Sequence, residues 1–307
     1  MPGVLGESTV SSVPGEPAVL CSPDESAVPG SSVVDTSAHP PVDILLDATD
    51  AGGPSMPLGF LPHKQEYVKG VFATIATHYD VMNDLESLGL HRRWKARLVR
   101  RLSARGPQRI LDVACGTGDV AIALARANPK AQVLGLDFSP QMLDIAKRRA
   151  ATELPLTWRI NAKGEALPQS NLSFVLGSAL ELPYADSSFD AVAIAFGLRN
   201  MPDYARVLVE IYRVLRPEGA FYCLETSNPE APFVLVPFRL YMRYWLPLLG
   251  KLVAGSPTEY VWLDTSTRAF LTKRRLITLI QNTGFVQPGY QSFMLGASAL
   301  HWGIKPA

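Results

Sequence analysis

The chain has 307 residues, of which 47% are apolar, an ordinary share for a globular protein and enough to bury a core without disulfides or metal. Its 29 basic and 28 acidic side chains nearly cancel, but residues 1–62 hold eight acids and no Lys or Arg, leaving residues 63–307 with 29 basic and 20 acidic groups, a net of +9. Three distant cysteines, Cys21, Cys115 and Cys223, exclude a disulfide framework and lack the C-x-x-C spacing of a metal or redox centre, so no metal is expected.

Residues 1–62 contain ten prolines among Ser, Gly and acidic residues. No apolar period persists there, and such a segment cannot bury enough surface to offset its ordering entropy. It reads as a disordered acidic tail with a short apolar patch at Ile44, Leu45 and Leu46, followed by one folded domain over residues 63–307. A stretch without basic residues fits neither a secretory signal nor a transit peptide, which points to a reducing cytosol. The texture then turns helical, at Glu66 to Tyr79 and in the basic amphipathic run His91 to Leu102, and these helices are expected to cap the domain that follows.

From Arg109 short apolar runs alternate with helical segments. Strands are predicted at Ile110–Val113, Gln132–Asp137, Leu172–Leu176, Ala191–Phe196 and Ala220–Glu225. Helices are predicted at Asp119–Ala127, at Pro140–Ala150 with Ser139 as N-cap, and from Asp203 to Leu215. Repeated strand–helix units imply an α/β fold with a parallel doubly wound sheet and ligands at the carboxyl ends of its strands.

Between the first strand and its helix lies Leu111-Asp112-Val113-Ala114-Cys115-Gly116-Thr117-Gly118-Asp119. Glycines there let backbone approach a ligand and leave free helix N–H groups pointing at it. Gly116-x-Gly118-x-x-Ala121, with Asp137 ending the next strand, also satisfies a dinucleotide pattern. Asp112 and Asp119 argue against it, because they flank the place a pyrophosphate would occupy and would repel it. A cationic ligand suits the loop better, and S-adenosylmethionine is one. Asp112 is then expected to take the ammonium, the amides of the Gly116–Gly118 loop the carboxylate, and Asp137 the two ribose hydroxyls. The alternative for Asp112 is a carboxylate capping loop amides without a ligand; Cys115 reads as a small residue filling a tight turn.

The runs Tyr79-Asp80-Val81-Met82-Asn83-Asp84, His91-Arg92-x-Trp94-Lys95, the glycine loop, Glu181-Leu182-Pro183-Tyr184, Phe196-Gly197-Leu198-Arg199-Asn200 and Arg213-Val214-Leu215-Arg216-Pro217 together resemble the ubiquinone/menaquinone biosynthesis C-methyltransferase family, over about residues 66–305. The resemblance implies a class I S-adenosylmethionine-dependent methyltransferase, a mostly parallel doubly wound sheet with an N-terminal helical cap, acting on a ring carbon of a prenylated quinol. It implies cofactor contacts at Thr117, Asp137, Ser178 and Ala179, and at the position of Ala195. Ser178 stands where the family commonly has Asn or Asp, and Ala195 where a Ser often precedes Phe-Gly. Ala151–Asn171 is longer than usual, and Pro155, Gly164 and Pro168 predict an extra surface loop.

A hydroquinone carbon is a poor nucleophile until a neighbouring hydroxyl loses its proton, and phenols titrate near 10, so on the order of one molecule in a thousand is ionised at neutral pH. Arg199, just beyond a strand end, is expected to stabilise the phenolate, with a water or His78 removing the proton, Asn200 orienting that water and Tyr79 closing the site. The alternatives are an ion pair of Arg199 with an acid such as Asp203, and an exposed helix position for His78; His91 and Trp94 read as packing residues.

The expected reaction is methylation of demethylmenaquinol. The equivalent benzoquinol step, another small-molecule or RNA methyltransferase, and a non-catalytic scaffold of a quinone pathway are the alternatives. No base-stacking platform interleaves aromatic and basic residues, so no nucleic-acid partner is expected. Pro232–Gly255 is rich in aromatic and aliphatic residues, with Arg239 and Arg243 four apart, and is expected to meet the prenyl tail or an anionic membrane at the inner face. The alternative is an ordinary helix packed on the sheet, and Pro237 and Pro247 are expected to divide the stretch.

Overall fold

The computed structural model describes residues 83–84, 87–154, 157–160, 166–229, 232–245, 248 and 265–307, with backbone only at 157–160, 166–169 and 232. The tail at 1–62, the helix expected at Glu66–Tyr79, and the candidates His78 and Tyr79 lie outside the described residues, as does Pro247.

The first described helix, α1 (His91–Ser103), is amphipathic and turns Trp94, Leu98, Val99 and Leu102 inward. Strand β1 (Arg109–Val113) then runs through the middle of a sheet, with all but its first residue buried. Both faces of such a strand are covered by helices, which is why it reads as an unbroken apolar run rather than an alternating one. Helix α2 (Asp119–Ala127), strand β2 (Gln132–Asp137) and helix α3 (Pro140–Glu153) follow. Ser139 caps α3 as expected, its hydroxyl accepting from Met142 N at 3.4 Å, and the helix continues three residues beyond Ala150.

The long insertion expected as a loop contains an antiparallel pair, β3 (Thr157–Ile160) and β4 (Ala166–Gln169). Next come β5 (Leu172–Leu176), β6 (Phe189–Ala195), a 3₁₀ turn at Leu198–Asn200, α4 (Tyr204–Val214) and β7 (Leu215–Thr226). Asp203 caps α4, accepting from Arg206 N at 2.9 Å. Leu215, expected as the last helical residue, instead opens a strand that pairs with Phe189, so β6 and β7 both start earlier than their apolar centres suggest.

With β8 (Val286–Phe293) and β9 (Ser298–Ile304) added, the large sheet has the order β5-β2-β1-β6-β7-β9-β8. Pairings among β5, β2, β1, β6 and β7 are parallel, whereas β9 and β8 join antiparallel at the edge. The sheet is therefore mostly parallel, and its last two strands, with helix α6 (Lys273–Asn282), have no counterpart among the predicted elements. Chain order runs outward from β1 to β2 and β5, then returns to β6 and β7. The reversal places a switch point between β1 and β6, where a crevice opens at the strand ends.

Two cores cover the two faces. Ile110 and Val133 meet Leu98, Leu102, Val120 and Leu124 on one side. Leu111, Val113, Val192 and Ile194 meet Val207, Leu208, Ile211, Leu276 and Ile280 on the other. The capping helix α1 is held by Trp94 stacking on Phe293 at 5.9 Å and by Arg101 over the Trp302 ring at 3.5 Å. Helix α5 (Pro232–Leu240) runs directly into a π turn at Tyr241–Trp245, so Pro237 sits inside a continuing helix rather than dividing it.

Candidate active site

The loop after β1 reaches its shape through three residues with positive φ: Ala114 at 54°, Gly116 at 55° and Gly118 at 87°. Gly118 is the N-cap of α2, so the free amides of that helix face the loop. The loop after β6 comes so close that a Cβ on Gly197 would lie 2.7 Å from Ala114 Cβ, which requires glycine there. Between these loops opens a cleft of about 700 Å³, counting its mouth. Its walls are Ala114 and Gly116 after β1, Asp137, Phe138 and Met142 after β2, Ser178, Ala179 and Leu180 after β5, and Phe196, Gly197 and Asn200 after β6.

Asp137 is buried and brackets two loops, with Oδ2 accepting from Gly116 N at 2.8 Å and Oδ1 from Ser139 N at 2.9 Å. Burial raises its pKa, against the amides of Ser139, Gly116 and Phe138, which favour the charged form. Each carboxylate oxygen keeps a second lone pair, so acceptance from ribose hydroxyls remains open. Ser178 Oγ accepts from Leu180 N at 3.2 Å and turns the chain along the cleft floor.

Asp112 is 1% exposed and its Oδ2 has no hydrogen-bond partner among the described residues. Desolvation pushes its carboxyl up to about 8, with Asp137 and Asp119 adding repulsion, while Lys95 and the Ala121 amide pull the other way. It lines a smaller cavity of about 300 Å³ with Lys95, Thr117, Asp119 and Ala195, and this cavity shares Ala114 and Gly116 with the main cleft. Asp119 is fully engaged: Lys95 Nζ donates to it at 2.8 Å, and Arg149 pairs with it at 2.6 Å. Desolvation raises its pKa, but Lys95 and Arg149 outweigh that and hold the carboxyl at about 2. Arg149 also donates to Thr117 Oγ1 at 3.2 Å, so the Thr117 hydroxyl ties the loop to α3.

A buried carboxylate atom without a partner, beside glycine-loop amides and an apolar-walled cleft, fits S-adenosylmethionine. The ammonium would meet Asp112, the carboxylate the helix amides and Lys95, the ribose Asp137, and the adenine Phe138, Met142 and Leu180. The structure brings Asp112, Gly116, Thr117, Asp137, Ser178, Ala179, Ala195 and Asn200 to these two adjoining cavities, whereas Gly118 lines neither and serves as the N-cap of α2. Phe138, Met142 and Lys95 join the site without having been expected there: Phe138 and Met142 follow the end of β2, a position the sequence shows, whereas Lys95 reaches it from α1.

Arg199 departs from its expected surroundings. It is 3% exposed and, among the described residues, is absent from the wall of the main cleft. Its guanidinium pairs with Glu225 rather than Asp203: Asp203 caps α4, while Glu225, next to last in β7, lies inside the core. Glu225 Oε2 also accepts from Arg199 N at 3.1 Å, and Oε1 from Thr226 N at 2.8 Å. Arg199 Nη1 donates at 2.9 Å, and Asn200 Nδ2 at 3.3 Å, to the carbonyl of Phe196, whose φ is 56°. The pair thus holds a residue in the left-handed region, a conformation costing on the order of 1–3 kcal/mol.

The backbone is similar to a chain of the complex containing the Trm112 methyltransferase activator of Haloferax volcanii, with a TM-score of 0.53 at 16% identity, covering 77% of this chain and 98% of that one. In sequence it is 40% identical over 243 residues to demethylmenaquinone methyltransferase of Geobacillus kaustophilus, covering 79% of this chain and 98% of the relative. It is equally 40% identical over 242 residues to the protein of that name from Staphylococcus aureus, covering 78% and 94%. A family model spans residues 61–305, taking in the glycine loop, the Arg199–Glu225 clamp and both antiparallel edge strands: the chain belongs to the ubiE/COQ5 methyltransferase family.

Proposed function

We propose that this chain methylates a ring carbon of a prenylated naphthoquinol, converting demethylmenaquinol to menaquinol. The donor is S-adenosylmethionine, whose sulfonium supplies an electrophilic methyl group and a neutral thioether leaving group. One observation carries the reading: the donor cleft, which adjoins the smaller cavity holding the unpartnered Oδ2 of Asp112, shares Phe196 with a second cavity of about 350 Å³, counting its mouth, walled by Trp94, Phe238 and Met294. That aromatic pocket suits a planar ring. The relatives' names support the naphthoquinol over the benzoquinol and over RNA.

In this reading Asp112, the Gly116–Gly118 amides, Asp137, Ser178 and Ala179 bind and orient the donor. Thr117 and Ala195 shape the loop around its methionine end. Arg199 acts through Glu225 and the Phe196 carbonyl, fixing the wall between the two cavities, and Asn200 presents its side chain to the cleft. The roles expected of His78 and Tyr79 fall outside the described residues. Methyl transfer then rests on alignment, which is where positioning groups supply most of the rate. The experiment is methyl transfer from labelled donor by purified protein with prenylated naphthoquinol, prenylated benzoquinol and RNA offered in parallel. Label in the naphthoquinol supports the reading, and label only in RNA or benzoquinol overturns it.

The acceptor's tail calls for an apolar surface. Phe233 is 79% exposed on α5, Leu295 is 76% exposed next to the pocket residue Met294, and Val236, Leu240, Tyr244 and Trp245 are exposed along α5 and the π turn. Arg239 and Arg243 lie on the same stretch and are exposed. Such a surface suits a lipid interface with anionic headgroups. No helix among the described residues is long and apolar enough to cross a membrane, so the contact would be peripheral. Co-sedimentation with anionic vesicles should weaken in Arg239→Glu/Arg243→Glu and in Trp245→Ala; unchanged sedimentation would remove the membrane reading and leave the methyl transfer intact.

A further inference from the structure

The second cavity contains a side chain that the preceding mechanism leaves unused. His91, the first residue of α1, lines it together with Ser87, Trp94, Phe196 and Phe238, and is 3% exposed. Its tautomer follows from the hydrogen bonds around Ser87. The single hydroxyl hydrogen of Ser87 is donated to Asn83 O at 2.6 Å. Toward His91 Nδ1, 2.9 Å away, the same oxygen must therefore accept, and it also accepts from His91 N at 3.2 Å. The proton sits on Nδ1, and Asp84 Oδ1 lies 3.6 Å from it. The lone pair is then on Nε2, which has no hydrogen-bond partner among the described residues.

We propose that His91 Nε2 accepts a hydrogen bond from the quinol hydroxyl conjugated to the reacting carbon and takes its proton as the carbon is methylated, a role that rests on the quinol methyltransferase reading. The charged groups facing the ring are Arg92 and Lys95 on its own helix, Asp84 before it and Asp119 on α2. Burial leads, Lys95 adds to it, and the carboxylates of Asp84 and Asp119 oppose, so the ring is held at about 4 and stays neutral at working pH. A group of that basicity does not ionise a resting phenol, which titrates near 10. It need not. As the new carbon–carbon bond forms, the hydroxyl becomes part of a protonated carbonyl, a strong acid, and Nε2 can then receive the proton.

The step balances. The ring carbon's π pair forms the bond to the methyl carbon, and the S–CH3 pair leaves with sulfur as the thioether. The O–H pair becomes the carbonyl π bond as the proton passes to Nε2, with Nδ1–H still donating to Ser87 and Asp84 facing the imidazolium. Water removes the remaining ring C–H proton, and Nε2 returns its proton to the oxygen as the ring rearomatises. The net release is one proton.

The test compares wild type with His91→Asn, whose amide can keep the Nδ1 contact to Ser87 but offers nothing at Nε2. Calorimetry with S-adenosylmethionine reports whether the fold and donor site survive, and donor affinity within about twofold is expected. Methyl transfer to prenylated naphthoquinol should fall by about 10²–10⁴-fold at pH 7. That deficit should shrink as pH rises toward 9.5 and the quinol ionises in solution. A rate within threefold of wild type, or a deficit constant from pH 6.5 to 9.5, would show that His91 only packs. A second readout uses wild type without turnover: ¹⁵N NMR of labelled His91 during titration with prenylated naphthoquinol in the presence of S-adenosylhomocysteine. A shift of the Nε2 resonance larger than that of Nδ1 supports the contact; no Nε2 shift at saturating quinol overturns it. If both proteins bind donor, Nε2 shifts and neither methylates the quinol, the substrate reading fails while the phenol contact at His91 stands.

Discussion

At the scale of single residues, Asp112 and Asp137 are the two buried acids proposed to hold the donor. Asp112 is a buried carboxyl held near 8 by desolvation, so at pH 7 it is mostly protonated in the empty protein. A bound ammonium favours the charged form, and binding should therefore release close to one proton at pH 7. Calorimetry in buffers of different ionisation enthalpy reads that proton directly. Asp112→Asn should abolish the release and weaken binding by about 1.5–3 kcal/mol, the range for hydrogen bonds to charged groups. Wild-type binding without proton release would move the ammonium elsewhere. Asp137→Ala should cost a similar amount in donor affinity and should also loosen the glycine loop, because Gly116 N and Ser139 N lose their acceptor. An unchanged dissociation constant would remove Asp137 from the ribose site.

At the scale of elements, the Arg199–Glu225 pair joins the 3₁₀ turn after β6 to the end of β7. Both partners are almost fully buried, 3% and 1% exposed. Removing one partner of a buried pair leaves an uncompensated charge and costs about 3–5 kcal/mol. Arg199→Ala should therefore lower the melting temperature by roughly 10 °C for a domain of this size, and should reduce turnover because the Phe196 carbonyl loses an anchor. Arg199→Met/Glu225→Leu should recover much of the stability without recovering turnover. Should Arg199→Ala melt like wild type while losing turnover, the charge acts on the substrate rather than on the loop.

At the scale of the whole molecule, buried titratable groups set opposing pH trends. His91 and His301 are both held near 4, below the ordinary 6.5, mainly by burial. Between about 4 and 6.5 the unfolded chain binds more protons at these two positions than the folded one, so they make stability rise with pH. Asp112 runs the other way, since its folded pKa is raised from 3.8 to about 8 and the folded state holds the extra proton across that window. The two histidines outweigh Asp112 below 6.5 and fade above it, while Asp137, also raised by burial, adds to the fall, so these groups place the stability maximum of the empty protein no higher than about pH 6.5. Thermal melts from pH 5 to 8 should show a rise and then a fall. Saturating S-adenosylmethionine should flatten the fall, because it ionises Asp112 in the folded state. A fall that persists unchanged in Asp112→Asn would trace it to other groups.

The sequence alone determined what local chemistry writes into short runs. The glycine loop needs positive φ at Gly116 and Gly118, the acid at the end of β2 stands a fixed distance from it, and the strand–helix alternation follows from burial on both faces; each is readable because its cause lies within a few residues. Tertiary structure decided what depends on partners far apart in the chain. Glu225, 26 residues beyond Arg199, claims the guanidinium that spacing offered to Asp203. Strand β9 inserts between β7 and β8, where His301 Nε2 lies 3.3 Å from the carbonyl of Lys273 on α6, a neighbour 28 residues away in the chain. Asp112 is left with an unpartnered oxygen, and Ser87 fixes the His91 tautomer by giving its only hydrogen to Asn83 O, because burial removes the water that would otherwise satisfy every one of these groups.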